Sequence, residues 1–124
     1  MKKKSIPLLW VAIVLSISGC ATSPMYYWGN YSSTLYHYRK DASDEALNKH
    51  MAQLNAIVNV SKERHLRVPP GVYCELGYLN AKQGNNKQAL ELFILEKTTY
   101  PESTHFVDRL AESIKTSETI DKKP

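Results

Sequence analysis

The residues able to do chemistry in this chain are few and scattered. The four histidines are His37, His50, His65 and His105. No two stand four apart, the spacing that turns two imidazoles toward one metal from a single helix face, and no cysteine pair supplements them. Asp44-Glu45 and Glu63 fall on expected helix surfaces, so no two carboxylates are paired for acid–base work. Gly84-Asn85-Asn86 has the composition of a turn, not of a phosphate-cradling loop. Cys74 has no local base or charge to lower its pKa, and the expectation is an inert, buried thiol. Lys62, Arg64, His65 and Arg67 form a basic cluster that could hold an anion. Glu63 interrupts it, and a solvated helix end fits better. The expectation is therefore no enzyme, with no catalytic residue, metal ligand or cofactor.

The elements available to position side chains follow from length and charge. The chain has 124 residues, 43% of them hydrophobic and 23% charged, which suits one small domain and excludes a wholly disordered chain. Sixteen Lys and Arg face twelve Asp and Glu, a formal charge of +4. Lys2-Lys3-Lys4 lie in a segment expected to be removed. Without them the count is thirteen against twelve, or +1, so charge argues for no nucleic-acid partner. Ile6 to Ile17 is apolar except for Pro7 and Ser16. It is shorter than the roughly 20 residues a spanning helix needs. A basic start, a short apolar core and small residues before Cys20 read as a signal peptide over 1–19.

Ile17-Ser18-Gly19-Cys20 resembles a bacterial lipobox, with Ile17 where Leu is commoner. The resemblance implies a diacylglycerol thioether on Cys20, cleavage before it, and a palmitate-type acyl group on the new amino terminus. Several acyl chains at about 0.8 kcal/mol per buried methylene anchor a small protein firmly. Lipoproteins kept in the inner membrane typically carry Asp at the next position. Ala21 therefore implies sorting to the periplasmic face of the outer membrane. Cys74 is then left without a disulfide partner.

Residues 20–30 read as the lipidated cysteine and a tether. Six of the twelve aromatics, Tyr26, Tyr27, Trp28, Tyr31, Tyr36 and Tyr38, fall within thirteen residues. Tyr31, Leu35 and Tyr38 recur at helical spacing and predict a first helix over 31–40. Ser43 is a good N-cap, with Asp44 and Glu45 placed for a first turn. Leu47, Met51, Leu54, Ile57 and Val58 predict a long second helix that reaches the basic cluster and is stopped by Val68-Pro69-Pro70-Gly71. Further helices are predicted over 72–83 and 87–100. A last one starts near Ser103 or Thr104 and buries Phe106, Val107, Leu110, Ala111 and Ile114. The whole reads as an all-α domain of about five helices over 31–115, with 116–124 as a flexible tail.

Tyr73, Leu76-Gly77, Gly84, Ala89, Phe93 and Pro101 form one spaced set. It resembles a tetratricopeptide repeat over about thirty residues. Asn80 stands where Tyr is usual, and Glu96 where a small residue is. The resemblance implies antiparallel helical hairpins of tetratricopeptide-like type. Gly77 and Ala89 would let two helices approach, Tyr73, Leu76 and Phe93 would fill the seam, and Gly84 would make the turn. The stretch from Tyr31 to His65 reads as a degenerate unit and the fifth helix as a cap. So thin a core points to a partner or to self-association.

The mature chain also resembles a family of short bacterial lipoproteins of unassigned function. The residues that carry this are the lipobox, Tyr27-Trp28-Gly29-x-Tyr31-x-x-x-Leu35-Tyr36, and Pro69-Pro70-Gly71-x-Tyr73-x-x-x-Gly77-Tyr78. Members are often encoded beside a lipoprotein similar to the curli secretion channel, which implies a cell-envelope assembly role and such a lipoprotein as partner. No catalytic residues come with the resemblance. The expected function is a non-enzymatic protein-binding scaffold. Tyr27, Trp28, Tyr31 and Tyr36 are either its partner-binding surface or, equally, core packing of the first helix on the second. The alternatives are a pilotin-like chaperone for an outer-membrane channel and a carrier of a small hydrophobic ligand.

Overall fold

The structure, a computed structural model, describes residues 23–121, with side chains described through 116. Residues 1–19, read above as a signal peptide, and Cys20 lie outside the described residues. Five helices follow in order: α1 (Tyr31–Asp41), α2 (Asp44–Glu63), α3 (Val72–Lys82), α4 (Asn86–Thr99) and α5 (Thr104–Asp121). A 3-10 turn, Pro101–Ser103, joins the last two. Among the described residues there is no strand, and the domain is all-α.

α2 begins as its sequence predicts. The Ser43 hydroxyl accepts the Ala46 N–H at 3.2 Å, and Asp44 and Glu45 occupy the positive first turn. Its end comes earlier than predicted, at Glu63. His65 takes a left-handed φ of 54°. Its N–H donates to the Lys62 carbonyl at 3.1 Å, while the Leu66 N–H reaches the Ser61 carbonyl at 2.8 Å. This paired closure usually recruits glycine, and a histidine there hides the stop from a sequence reader. Arg64, His65 and Arg67 therefore lie beyond the helix, in the connection to α3.

α3 and α4 form the tightest pair. They run antiparallel around the turn at Gly84, whose φ is 83°. A Cβ on Gly77 would stand 2.7 Å from the Phe93 ring and 3.1 Å from the Ala89 carbonyl, so only glycine permits this approach. The start of α3 has no capping side chain of its own, because its N-cap is Gly71. Glu96, buried at the far end of α4, supplies the missing acceptors. Its Oε1 takes the Gly71 N–H at 2.8 Å and its Oε2 the Cys74 N–H at 3.3 Å. A carboxylate at the positive end of a helix suits both the orphan amides and the dipole.

The main core gathers Leu54, Ile57 and Val58 of α2 against Val68, Val72, Tyr73, Leu76, Leu79 and Leu92. Tyr27, Tyr31, Tyr38, Leu47 and Met51 pack on its side. A second cluster joins Cys74, Phe93 and Val107, with Leu90, Leu110, Ala111 and Ile114 around it. Phe106, expected in this second core, is instead 62% exposed. The buried stripe of α5 runs Val107, Leu110, Ala111, Ile114 at i, i+3, i+4, i+7, and Phe106 lies one residue off it. α5 continues through 116–121, into the stretch read as a tail, because no Gly or Pro occurs before Pro124.

Candidate functional site

The amino-terminal arm turns back over the helices. Tyr27 packs on the main core and lies under Arg64, whose guanidinium is 5.0 Å from the ring centroid. Tyr26 hydrogen-bonds with the Tyr100 hydroxyl, which also donates to the Val68 carbonyl at 2.6 Å. Burial, then this pairing, pushes the Tyr100 phenol up from its ordinary value. Arg67 lies 5.1 Å over the Tyr100 ring. The aromatic cluster thus divides. Tyr27 and Tyr31 serve the interior, whereas Trp28 and Tyr36 face outward, at 41% and 61% exposure.

Behind Tyr31 lies a polar row that the sequence did not announce. The Thr34 hydroxyl is 2.8 Å from His50 Nδ1. His50 Nε2 is 3.1 Å from Glu75 Oε1, and the Tyr31 hydroxyl donates to Glu75 Oε2 at 2.8 Å. His50 is fully buried between two tyrosines, parallel to Tyr38 at 5.9 Å and tilted to Tyr31 at 5.6 Å. Burial, then the hydrogen bond to Glu75 and its charge, raises the Tyr31 phenol to about 12. Hydroxyl, imidazole and carboxylate in a row are the parts of a nucleophilic triad. Here Thr34 is buried and its hydroxyl also bonds the Tyr31 carbonyl at 3.0 Å, so the row's hydroxyl is closed off and only its Glu75 end reaches the surface. It acts as a strut joining α1, α2 and α3. One signal could have found His50: it precedes Leu54 by four residues and Val58 by eight, on the apolar stripe of α2. Glu75 and Thr34 carry no such mark, being 25 and 16 residues away from it.

The other chemical candidates stay apart. His37, His65 and His105 are exposed. Among the described residues no three His, Cys, Asp or Glu side chains come together as a metal would need. Cys74 is buried, and burial followed by the charges of Glu96 and Glu75 lifts its thiol to about 11. It lies on the floor of an open groove between α3 and α5, about 390 Å³ in volume, lined by Gly71, Cys74, Glu75, Tyr78, Phe106 and Leu110. Tyr78 and Phe106 are its exposed walls.

Residues 25–110 match a family described as a domain of unknown function, DUF4810. The chain belongs to the DUF4810 family. The matched span opens just before the arm, takes in α1 to α4, and ends at Leu110 in the groove wall. The polar row, the capping Glu96 and the groove are thus all parts of the DUF4810 domain. No curated protein and no solved structure matches the chain.

Proposed function

We propose that this DUF4810 chain is a non-enzymatic scaffold, held by lipid on Cys20 at the periplasmic face of the outer membrane, which binds an envelope protein. The observation that carries the binding role is the groove between α3 and α5. Its floor is apolar, and Phe106 stands exposed at its edge on α5. Such a groove suits an apolar helix or extended segment of a partner. The seam of Gly77, Ala89 and Phe93 favours the tetratricopeptide-like reading of α3 and α4, and repeat hairpins present grooves of this kind. The lipobox and Ala21 support the anchor and its membrane. A lipoprotein similar to the curli secretion channel is the partner to look for first.

A photo-crosslinking residue at position 106, in cells carrying the full chain, tests this reading. One envelope protein should be trapped in near-equal amount, and Tyr78→Glu should abolish the product without lowering the melting temperature. Recovery of nothing but lipid and the chain itself would remove the scaffold. The same groove also supports a second reading, the carrier of a small hydrophobic ligand, since its volume falls in the range of ligand pockets. In that case native mass spectrometry of detergent-free protein should show a bound small molecule that Phe106→Glu displaces.

A further inference from the structure

The domain has two unlike ends. The arm, the α2–α3 connection and the end of α4 meet at one of them, where Tyr27 lies under Arg64 and Tyr26 bonds Tyr100. The two remaining turns, 42–43 and 83–85, lie at the other, where Gln83 Nε2 is 3.4 Å from Asn48 Oδ1. The chain enters at the first end. Tyr26 is six residues from Cys20, so the anchor lies within about 20 Å of Tyr26 at ~3.3–3.6 Å per extended residue.

The side chains at that end have an unusual mix. Lys62, Arg64, His65 and Arg67 are exposed there, against Glu63 and Glu102 as exposed acids. Arg64 and Arg67 lie over ring faces, which holds their charge at the arm, and among the described residues neither forms an ion pair with a carboxylate. On the same arm, either side of Tyr26 and Tyr27, Met25 is 72% exposed and Trp28 is turned outward. An exposed Trp and Met among basic groups is the composition of a surface that sits at a bilayer interface.

We infer that this end, with Met25, Trp28, Arg64, His65 and Arg67, lies on an anionic phospholipid surface. The inference rests on the lipid anchor proposed above and adds an orientation to it. The short tether brings the basic end within reach of the headgroups, whose field falls off over roughly 8–10 Å. Each basic group near such a surface strengthens contact roughly fivefold. The opposite end then faces away from the membrane.

The test uses the lipidated protein, purified from cells and reconstituted into vesicles of phosphatidylcholine alone or with about a quarter phosphatidylglycerol, whose charge supplies the field. Cleavage before Cys20 leaves Trp28 as the one tryptophan, so its quenching by brominated acyl chains reports contact, with Trp28→Phe as the blank. Quenching should rise roughly twofold or more with phosphatidylglycerol and fall back in about 0.5 M salt. Arg64→Glu with Arg67→Glu should remove the rise. Because those two also stack on tyrosines, Lys62→Glu with His65→Glu is run beside them and should weaken it without touching the rings. Equal quenching in both lipids, or a rise that both charge-reversed pairs retain, overturns the inference. Labelled fatty acid on the same preparations separates the two ideas. Unlabelled wild type removes the anchor itself, whereas labelled protein with lipid-independent quenching removes only the orientation.

Discussion

Tyr31 can be asked directly whether it holds the fold together or meets a partner. Its hydroxyl gives one hydrogen bond to the Glu75 carboxylate at 2.8 Å, half-buried. Bonds to a charged acceptor contribute about 1.5–3 kcal/mol. Glu75 is about a quarter exposed, so water replaces part of what is lost, and Tyr31→Phe should cost about 1–2 kcal/mol. Glu75→Ala removes that bond and the His50 contact together and leaves a fully buried imidazole nitrogen facing a gap, for about 2–3 kcal/mol. The double variant should cost less than the sum by about 1 kcal/mol, because both singles break the same bond. Urea unfolding followed by helical circular dichroism measures each corner of the cycle. In a domain of this size 1 kcal/mol moves the melting temperature by roughly 4–8 °C, so heating gives an independent reading. Additive losses would refute the strut. So would a Tyr31→Phe protein as stable as wild type that no longer captures its partner, which would return Tyr31 to the surface role.

Three further perturbations bear on the packing and the thiol. Gly77→Ala gains about 1 kcal/mol of helix propensity but drives a methyl into the Phe93 ring and the Ala89 backbone, so a net loss of about 1–2 kcal/mol is expected by urea unfolding. Ala42 closes α1 at a left-handed φ of 48°, and Ala42→Gly should raise stability by about 0.5 kcal/mol, seen as a small rise in melting temperature. The Cys74 and Tyr31 groups both have folded pKa values above their ordinary 9.0 and 10.0. Their neutral forms favour the fold, so that contribution is complete below pH 9 and is lost as pH rises through about 11 and about 12. A pH series of urea midpoints should fall across that window, and iodoacetamide should modify native Cys74 far more slowly than unfolded chain at pH 8.

What could be read from the sequence was whatever depends on neighbours along the chain. Ser43 caps α2 because the cap and its amide are three residues apart. The Gly77, Ala89 and Phe93 seam was visible because a short turn folds one helix back on the next. Contacts across distant helices were not visible. Thr34, His50 and Glu75 look like unrelated polar residues until α1, α2 and α3 bring them together. Glu96 seemed only a departure from a repeat pattern, yet it caps a helix that begins 24 residues earlier. Left-handed histidine and alanine at helix ends, His65 and Ala42, carry no compositional flag. The aromatic arm was found as a cluster, but only the fold separates Tyr27 and Tyr31, turned inward, from Trp28 and Tyr36.

The borrowed cap on α3 bears on how the chain comes together. A helix whose first turn is closed by its own Ser or Asp can flicker into existence alone, but one that starts at Gly71 has its amide acceptors only when residue 96 is present and α4 has folded back. α3 and α4 should therefore open and close as one cooperative unit, with matched amide exchange rates for Cys74 and the middle of α4. A chain emerging from synthesis with residue 96 still to come has no acceptor for the Gly71 and Cys74 amides, and α3 closes only when the second half arrives.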